Sequence, residues 1–242
     1  MAKINTKDID VLILCGGLGS RLGSITQNCP KPMLKISNKP FLDIVIGYIA
    51  NFGFRRFILC TGYKSNIVAD YYKKKKNNYL KILISKEKKP LGTAGAIKNA
   101  QKNIKSNHFL VINGDGICLV NLRDVLNFHI NKKALVSIIT IYNNDPTHYG
   151  TITLGKSQRI VKFKEKSKIK NKNNLISTGI YFFNKKLMSL IPKNKNVSLE
   201  YDIFPKIIDK KIYGYITQEP FVDIGTPQRY NRAKHFFKKI KF

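Results

Sequence analysis

The feature that most restricts the fold of this chain is an apolar strand running straight into a glycine-rich loop: DVLILC at residues 10–15, then GGLGSRL at 16–22. An unbroken apolar strand suits a parallel sheet covered on both faces. A glycine turn at its carboxyl end stands where an open α/β sheet places its ligand. Gly16, Gly17 and Gly19 let the backbone approach an anion and aim amide groups at it. Spacing excludes two common forms of such a loop. A dinucleotide fingerprint needs Gly or Ala three places after Gly19, where Leu22 stands, and a Walker loop needs a Gly-Lys-Ser/Thr run that is absent. What does follow is Arg21 and then Lys31, the latter held between Pro30 and Pro32, which discourage helix there. A guanidinium forks two phosphate oxygens and an ammonium supplies a compact charge, a combination suited to a triphosphate that releases pyrophosphate.

Downstream, short β-branched runs alternate with amphipathic stretches, the pattern of repeated βα units. The sequence predicts strands at 10–15, 56–61, 80–85, 108–113 and 134–142, and helices from Pro40 to Gly53 and over 65–75, 92–102 and 122–131. After Tyr142, TITLG, RIVKFKEK and NLISTGIYFFN read as strands of an antiparallel patch, with helical character at 185–190, from 199 to 209, and from Pro227 onward. No hexapeptide repeat is visible, which excludes an appended β-helix.

The charge bears on partners. With 44 Lys and Arg against 14 Asp and Glu, the formal net charge is +30, which favours nucleic acid, anionic membrane surfaces or phosphorylated metabolites. Most of the surplus sits in stretches such as KKKKNNYLKI and KSKIKNKNNL, the mark of compositional bias, so no specific nucleic-acid partner is expected. No apolar run reaches the roughly 20 residues that span a bilayer, and the amino end carries no signal-type stretch. The expectation is a cytoplasmic protein without membrane insertion, its self-association left open. Cys15, Cys29, Cys60 and Cys118 are too scattered for a zinc knuckle or a disulfide framework, and His108, His129, His148 and His235 read as packing or surface residues.

GGLGSRL, then Thr26, then PKPM resembles the pattern GGxGTRLxxxTxxxPKPM of sugar-1-phosphate nucleotidyltransferases, with Ser20 in place of Thr. PLGTAGAIKNA (90–100) resembles the family's base-reading segment, NGD (113–115) its metal-binding strand end, and FVDIGTP (221–227) its closing metal motif. The wording is most similar to D-glycero-D-manno-heptose 1-phosphate guanylyltransferases and related mannose- or glucose-1-phosphate enzymes. The resemblance implies one domain over residues 1–242, a nucleotide half to about 133 and a sugar-phosphate half from about 134. It implies a Rossmann-like, doubly wound, mixed and mainly parallel α/β sheet of glycosyltransferase-A type with a small antiparallel sugar-binding patch. The implied reaction moves a nucleoside monophosphate from a triphosphate, GTP by preference, to a sugar 1-phosphate, with Mg²⁺ as cofactor, for surface polysaccharide synthesis.

The resemblance also distributes roles. Leu14, Gly16, Gly17, Gly19, Gly92 and Thr93 would line the nucleotide, with Arg21 on the leaving pyrophosphate and Lys31 bridging phosphates. Asp115 and Asp223 would hold Mg²⁺ and, with Arg21 and Lys31, make the catalytic set. On the acceptor side, Tyr149 and Gly150 would give a backbone contact, Glu165 would accept sugar hydroxyls, Lys166 would meet the 1-phosphate, and Ser177 and Glu200 would face the sugar. Asn121-Leu122 stands where many relatives carry an acidic residue before Leu. A non-catalytic sugar-nucleotide-binding subunit would have shed Arg21, Lys31, Asp115 and Asp223, and all four are present.

Overall fold

The computed structural model describes residues 5–75, 78–165 and 174–239. Strand β1 (Asp10–Cys15) runs into the glycine loop, and a 3-10 turn at Lys31–Met33 leads to the short hairpin β2 (Lys35–Ile36) and β3 (Lys39–Pro40). Helix α1 (Phe41–Asn51), β4 (Arg56–Thr61), α2 (Ser65–Lys74), β5 (Lys81–Lys86), α3 (Gly92–Asn99) and β6 (His108–Asn113) follow as βα repeats. Then come β7 (Gly116–Cys118), α4 (Leu122–Asn131), β8 (Val136–Asn143), β9 (Gly150–Leu154), β10 (Ile160–Glu165), β11 (Asn174–Asn184), β12 (Ile212–Ile216), β13 (Phe221–Asp223) and α5 (Pro227–Lys239).

Among the described residues a nine-stranded sheet forms the centre. Strands β6, β1, β4 and β5 lie side by side in parallel. On the far side of β6, β11 and then β8 add antiparallel strands, and β12 closes that edge parallel to β8. The first half of β11 also pairs with β9, which carries β10 antiparallel beside it. The sheet is therefore mixed, with a parallel half and an antiparallel patch, as the resemblance implies. A register shift between Ser177 and Tyr181 lets β11 change partners. Gly179 sits there at φ 74, a conformation that costs a residue with a Cβ.

Alternation along the strands divides the core into two layers. Val11, Ile13, Phe57, Leu59, Leu110 and Ile112 face the layer that holds α1, α4 and α5. Leu12, Ile58, Cys60, Phe109, Val111 and Phe183 face α3 and the segment around Phe204. Each fully buried Phe, Leu or Ile contributes about 1.5–3 kcal/mol by leaving water. At the amino end of the sheet, buried Asp10 accepts from Arg56 Nε at 2.8 Å and from the backbone amides of Lys105 and Ser106, which ties β1 to β4 and to the entry of β6.

Two of the expected helices need adjusting. The helix read over 92–102 is α-helical only to Asn99 and ends in a 3-10 turn at Ala100–Asn103. The helix read over 199–209 is a π turn, Leu199–Ile203, followed by a 3-10 turn, Phe204–Ile207. Pro205, with no N–H to donate, breaks the ladder between them. Strand β12 and the β7–β13 ribbon were not read from the sequence; the ribbon's two strands, three residues each, are too short to carry a periodic signal. All four cysteines are free, and Cys15, Cys60 and Cys118 are buried.

Candidate active site

The carboxyl ends of β1, β4 and β5 open into a cavity of about 660 Å³, lined by the glycine loop, Lys31, Glu87 and the start of α3. Local chemistry shapes the loop. Gly19 lies at φ 69, and a Cβ there would meet the Thr26 methyl at 3.0 Å. Thr26 Oγ1 donates to the carbonyls of Gly19 and Gly23 at 3.2 and 3.3 Å, pinning the turn. Gly92 at φ 70 opens α3 so tightly against residue 197 that an added Cβ would lie 2.5 Å from the Val197 carbonyl oxygen. That same carbonyl accepts from Ala94 and Gly95, which docks the amino end of α3 at the cavity wall.

Lys31 is the unusual cation. It is only 8% exposed, and its ammonium sits 2.8 Å from Asp115 Oδ2. A buried charge of this kind persists because it is paired. Asp115 follows β6 on a tight turn whose Gly114 amide donates to the Leu14 carbonyl at 3.0 Å, so the glycine loop and the NGD segment are physically joined.

A second cavity of about 300 Å³ abuts the first, and Thr93, Asn113 and Asp115 line both. Its walls include Arg21, Tyr149, Glu165, Ser177, Glu200 and Asp223. The β7–β13 ribbon sets Asp223 opposite Gly116, and the Ile224 amide donates to the Asp115 carbonyl at 2.9 Å. Asp115, on the turn before β7, and Asp223, at the end of β13, are thereby brought to the same end of the ribbon. Asp223 accepts from Tyr149 Oη at 2.5 Å, from the Gly225 amide at 2.8 Å and from Arg229 Nη1 at 3.2 Å. The Arg229 guanidinium also lies 4.9 Å from the centre of the Tyr149 ring, a cation–π contact. Burial first, and the Asp223 charge second, push the Tyr149 phenol well up, so it stays protonated as a donor.

Thr93 and Glu200 tie the cavities together. Thr93 Oγ1 donates to Glu200 Oε2 at 2.8 Å while accepting from the Leu199 amide at 2.7 Å. Ser198 caps the π turn, accepting from the Glu200 and Tyr201 amides and donating to Glu200 Oε2 at 2.8 Å. Tyr181 Oη reaches Glu200 Oε1 at 3.3 Å. Asn113 Oδ1, on the shared wall, is buried without a hydrogen-bond partner among the described residues. The arrangement sets a larger, mainly apolar-walled cavity beside the glycine loop and Lys31 against a smaller one rich in hydrogen-bonding groups.

Comparison with known proteins decides what that pair of cavities belongs to. The profile of the family described as nucleotidyl transferase matches residues 10–240. The chain belongs to the nucleotidyl transferase family. It is 36% identical over 227 residues to a D-glycero-alpha-D-manno-heptose 1-phosphate guanylyltransferase of Aneurinibacillus thermoaerophilus, covering 93% of this chain and 97% of that one. A mannose-1-phosphate guanylyltransferase of Mycobacterium tuberculosis is 33% identical over 231 residues, and the match spans 64% of its length. Among solved structures, HddC from Yersinia pseudotuberculosis complexed with GMP-PN superposes with a TM-score of 0.83 at 34% identity, covering 95% of this chain and 99% of that one.

Set against the nucleotidyl transferase pattern, the residues singled out in the sequence distribute over both cavities. Leu14, Gly16, Gly17, Gly19, Lys31, Gly92 and Thr93 line the first. Gly150, Glu165, Ser177 and Asp223 line the second, and Asp115 lies between. Arg21 lines the second cavity. The Thr93 hydroxyl spends its proton on Glu200 and offers no free donor to the nucleotide side. Lys166 lies outside the described residues. Asn121 is a helix cap, its side chain accepting from the Arg123 amide at 3.0 Å. The sequence reading missed Glu87, Tyr181 and Arg229. Arg229 is one cation among 44, Tyr181 lies inside an apolar strand, and Glu87 sits in a lysine run, so none carried a local signal.

Proposed function

We propose that this chain transfers a guanylyl group from GTP to D-glycero-D-manno-heptose 1-phosphate, with residues 1–242 acting as one domain. A sugar-phosphate oxygen attacks the α-phosphorus, a new phosphorus–oxygen bond forms, the α–β bridge breaks, and pyrophosphate leaves beside a GDP sugar. The observation that carries this reading is the junction of the two cavities, where the Lys31–Asp115 pair stands between a nucleotide-sized space and a sugar-sized one. The nucleophile is already an anion, so no general base is needed, and the work lies in positioning and in neutralising charge. In this reading Lys31 takes the phosphates near the reacting centre, and Arg21 meets negative charge from the second cavity. Gly16, Gly17 and Gly19 turn amides to the phosphates, and Gly92 holds the nucleoside. Gly150, Glu165, Ser177 and Glu200 face the sugar, and Lys166 its phosphate.

Asp115 and Asp223 would hold Mg²⁺. A carboxylate on the turn before β7 and one at the end of β13 suit an ion that binds through one or two carboxylates plus substrate phosphates, and each is paired with a cation. When bound, Mg²⁺ would neutralise charge on the reacting phosphates. Arg229, Tyr149 and the Gly225 amide orient Asp223 for that task.

A second reading takes mannose 1-phosphate as acceptor and is favoured by the Mycobacterium relative. A matrix of nucleoside triphosphates against heptose, mannose and glucose 1-phosphates, scored by pyrophosphate release, separates the two. Release is expected with GTP and the heptose. Release with mannose 1-phosphate alone selects the second reading, and release with no combination overturns both.

A further inference from the structure

The two acceptors weighed above, D-glycero-D-manno-heptose and mannose 1-phosphates, share a ring configuration and differ in one place. The heptose carries one more CHOH carbon on its exocyclic arm. A protein that tells the two apart must touch that arm. In the reaction above, the 1-phosphate meets the nucleotide at the wall that both cavities share, formed by Thr93, Asn113 and Asp115. In an α-anomer the phosphate and the exocyclic arm leave opposite faces of the ring. A sugar with its phosphate at that wall therefore extends its arm away from it, toward the mouth of the second cavity.

Among the described residues that line this cavity, the exposed ones are Arg21, His148 and Tyr201. Of these three, Tyr201 offers the large apolar face, and it is 58% exposed. Two other tyrosines of the cavity are committed to its walls, Tyr149 Oη on Asp223 and Tyr181 Oη on Glu200. The backbone under Tyr201 is fixed. Its π turn is closed by the Phe204 amide on the Leu199 carbonyl, and Ser198 Oγ accepts from the Glu200 and Tyr201 amides at 3.1 and 3.2 Å. Such turns are rare and recur at functional sites. This one sets two consecutive residues, Glu200 and Tyr201, on the same cavity. We propose that Tyr201 determines which sugar is accepted, its ring packing against the C–H groups of the heptose arm at the mouth of the second cavity. The inference rests on the heptose reading above and adds to it the residue that separates the two acceptors. A tyrosine gives up little freedom in such a contact, having two side-chain torsions. The mannose arm, one carbon shorter, covers less of the ring. Since the arm takes no part in bond making, its contact is made alike in ground and transition states, and its loss falls on KM rather than on kcat.

The test measures pyrophosphate release from GTP with heptose or mannose 1-phosphate in the native protein, in Tyr201→Ala and in Tyr201→Phe. The native protein is expected to prefer the heptose by about 10-fold in kcat/KM, the worth of one carbon against an apolar surface. Tyr201→Ala should bring that ratio to within about threefold of unity through a higher KM for the heptose. Tyr201→Phe keeps the ring and should keep most of the preference. The side chain is exposed, so the melting temperature of either variant should stay within about 2 °C of the native value. An unchanged ratio in Tyr201→Ala, including an equal loss with both sugars, overturns the assignment while leaving guanylyl transfer to the heptose standing. A preference lost as completely in Tyr201→Phe as in Tyr201→Ala, or a native protein that uses both sugars alike, overturns it in the same way. If the native protein uses mannose 1-phosphate and not the heptose, the heptose reading itself fails.

Discussion

The Lys31–Asp115 pair makes an asymmetric prediction. The Lys31 side chain is 10% exposed and that of Asp115 is 31% exposed, with 2.8 Å between ammonium and carboxylate. Lys31→Met leaves behind a carboxylate that still reaches water, at a cost of about 1 kcal/mol. Asp115→Leu leaves behind a nearly enclosed ammonium, at a cost of roughly 2–3 kcal/mol. In a chain of this size each kcal/mol lowers Tm by about 2–4 °C. Thermal unfolding should therefore show Asp115→Leu the less stable of the two. The double variant should be more stable than the sum of the singles implies, with a coupling of about 1–2 kcal/mol. Pyrophosphate release should fall by about 10²–10³ in kcat for each single, the usual loss when a charge-stabilising group is removed. The reasoning is refuted if Lys31→Met is as destabilising as Asp115→Leu, or if the two effects simply add. A kcat within threefold of the native value in Lys31→Met would remove this lysine from the reacting phosphates.

Other expectations follow from the same geometry. Gly92→Ala combines φ 70 with a Cβ 2.5 Å from a backbone oxygen; it should cost at least about 2 kcal/mol and weaken nucleotide binding, and a native-like Tm with unaltered GTP affinity would contradict the close approach to Val197. Buried His129 contacts His108 at 3.0 Å and Ser137 at 2.9 Å, and burial first, then His108, hold its pKa at about 3. Since its folded pKa lies below the unfolded value, this contribution to stability is complete above about pH 6.5 and is lost as pH falls towards 3, at up to about 1.4 kcal/mol per pH unit. Tm measured from pH 7 to 4.5 should drop more steeply for the native protein than for His129→Phe, and parallel curves would disprove it. EDTA should abolish pyrophosphate release and added Mg²⁺ restore it; release undiminished in EDTA would exclude Mg²⁺ from the reaction.

The parts legible in the sequence were those whose cause is local. Strands 10–15, 56–61, 108–113 and 174–184 and helix 122–131 have the bounds their apolar patterns indicate, because burial on both faces or on one helical stripe leaves a short-range trace. The glycine loop, with Thr26 and the proline-flanked Lys31, is equally local, since Gly19 answers to a left-handed turn that Thr26 pins. Tertiary structure alone decided the rest. The sequence marks Lys31 by its flanking prolines, but only the packing of the loop against the NGD turn buries it on Asp115. Asp223, Tyr149 and Arg229 meet where a three-residue ribbon joins β13 to β7, too short to be patterned. Glu87 lines the cavity of the glycine loop because β1, β4 and β5 end at one edge of the sheet, a matter of strand order that no local run of residues encodes.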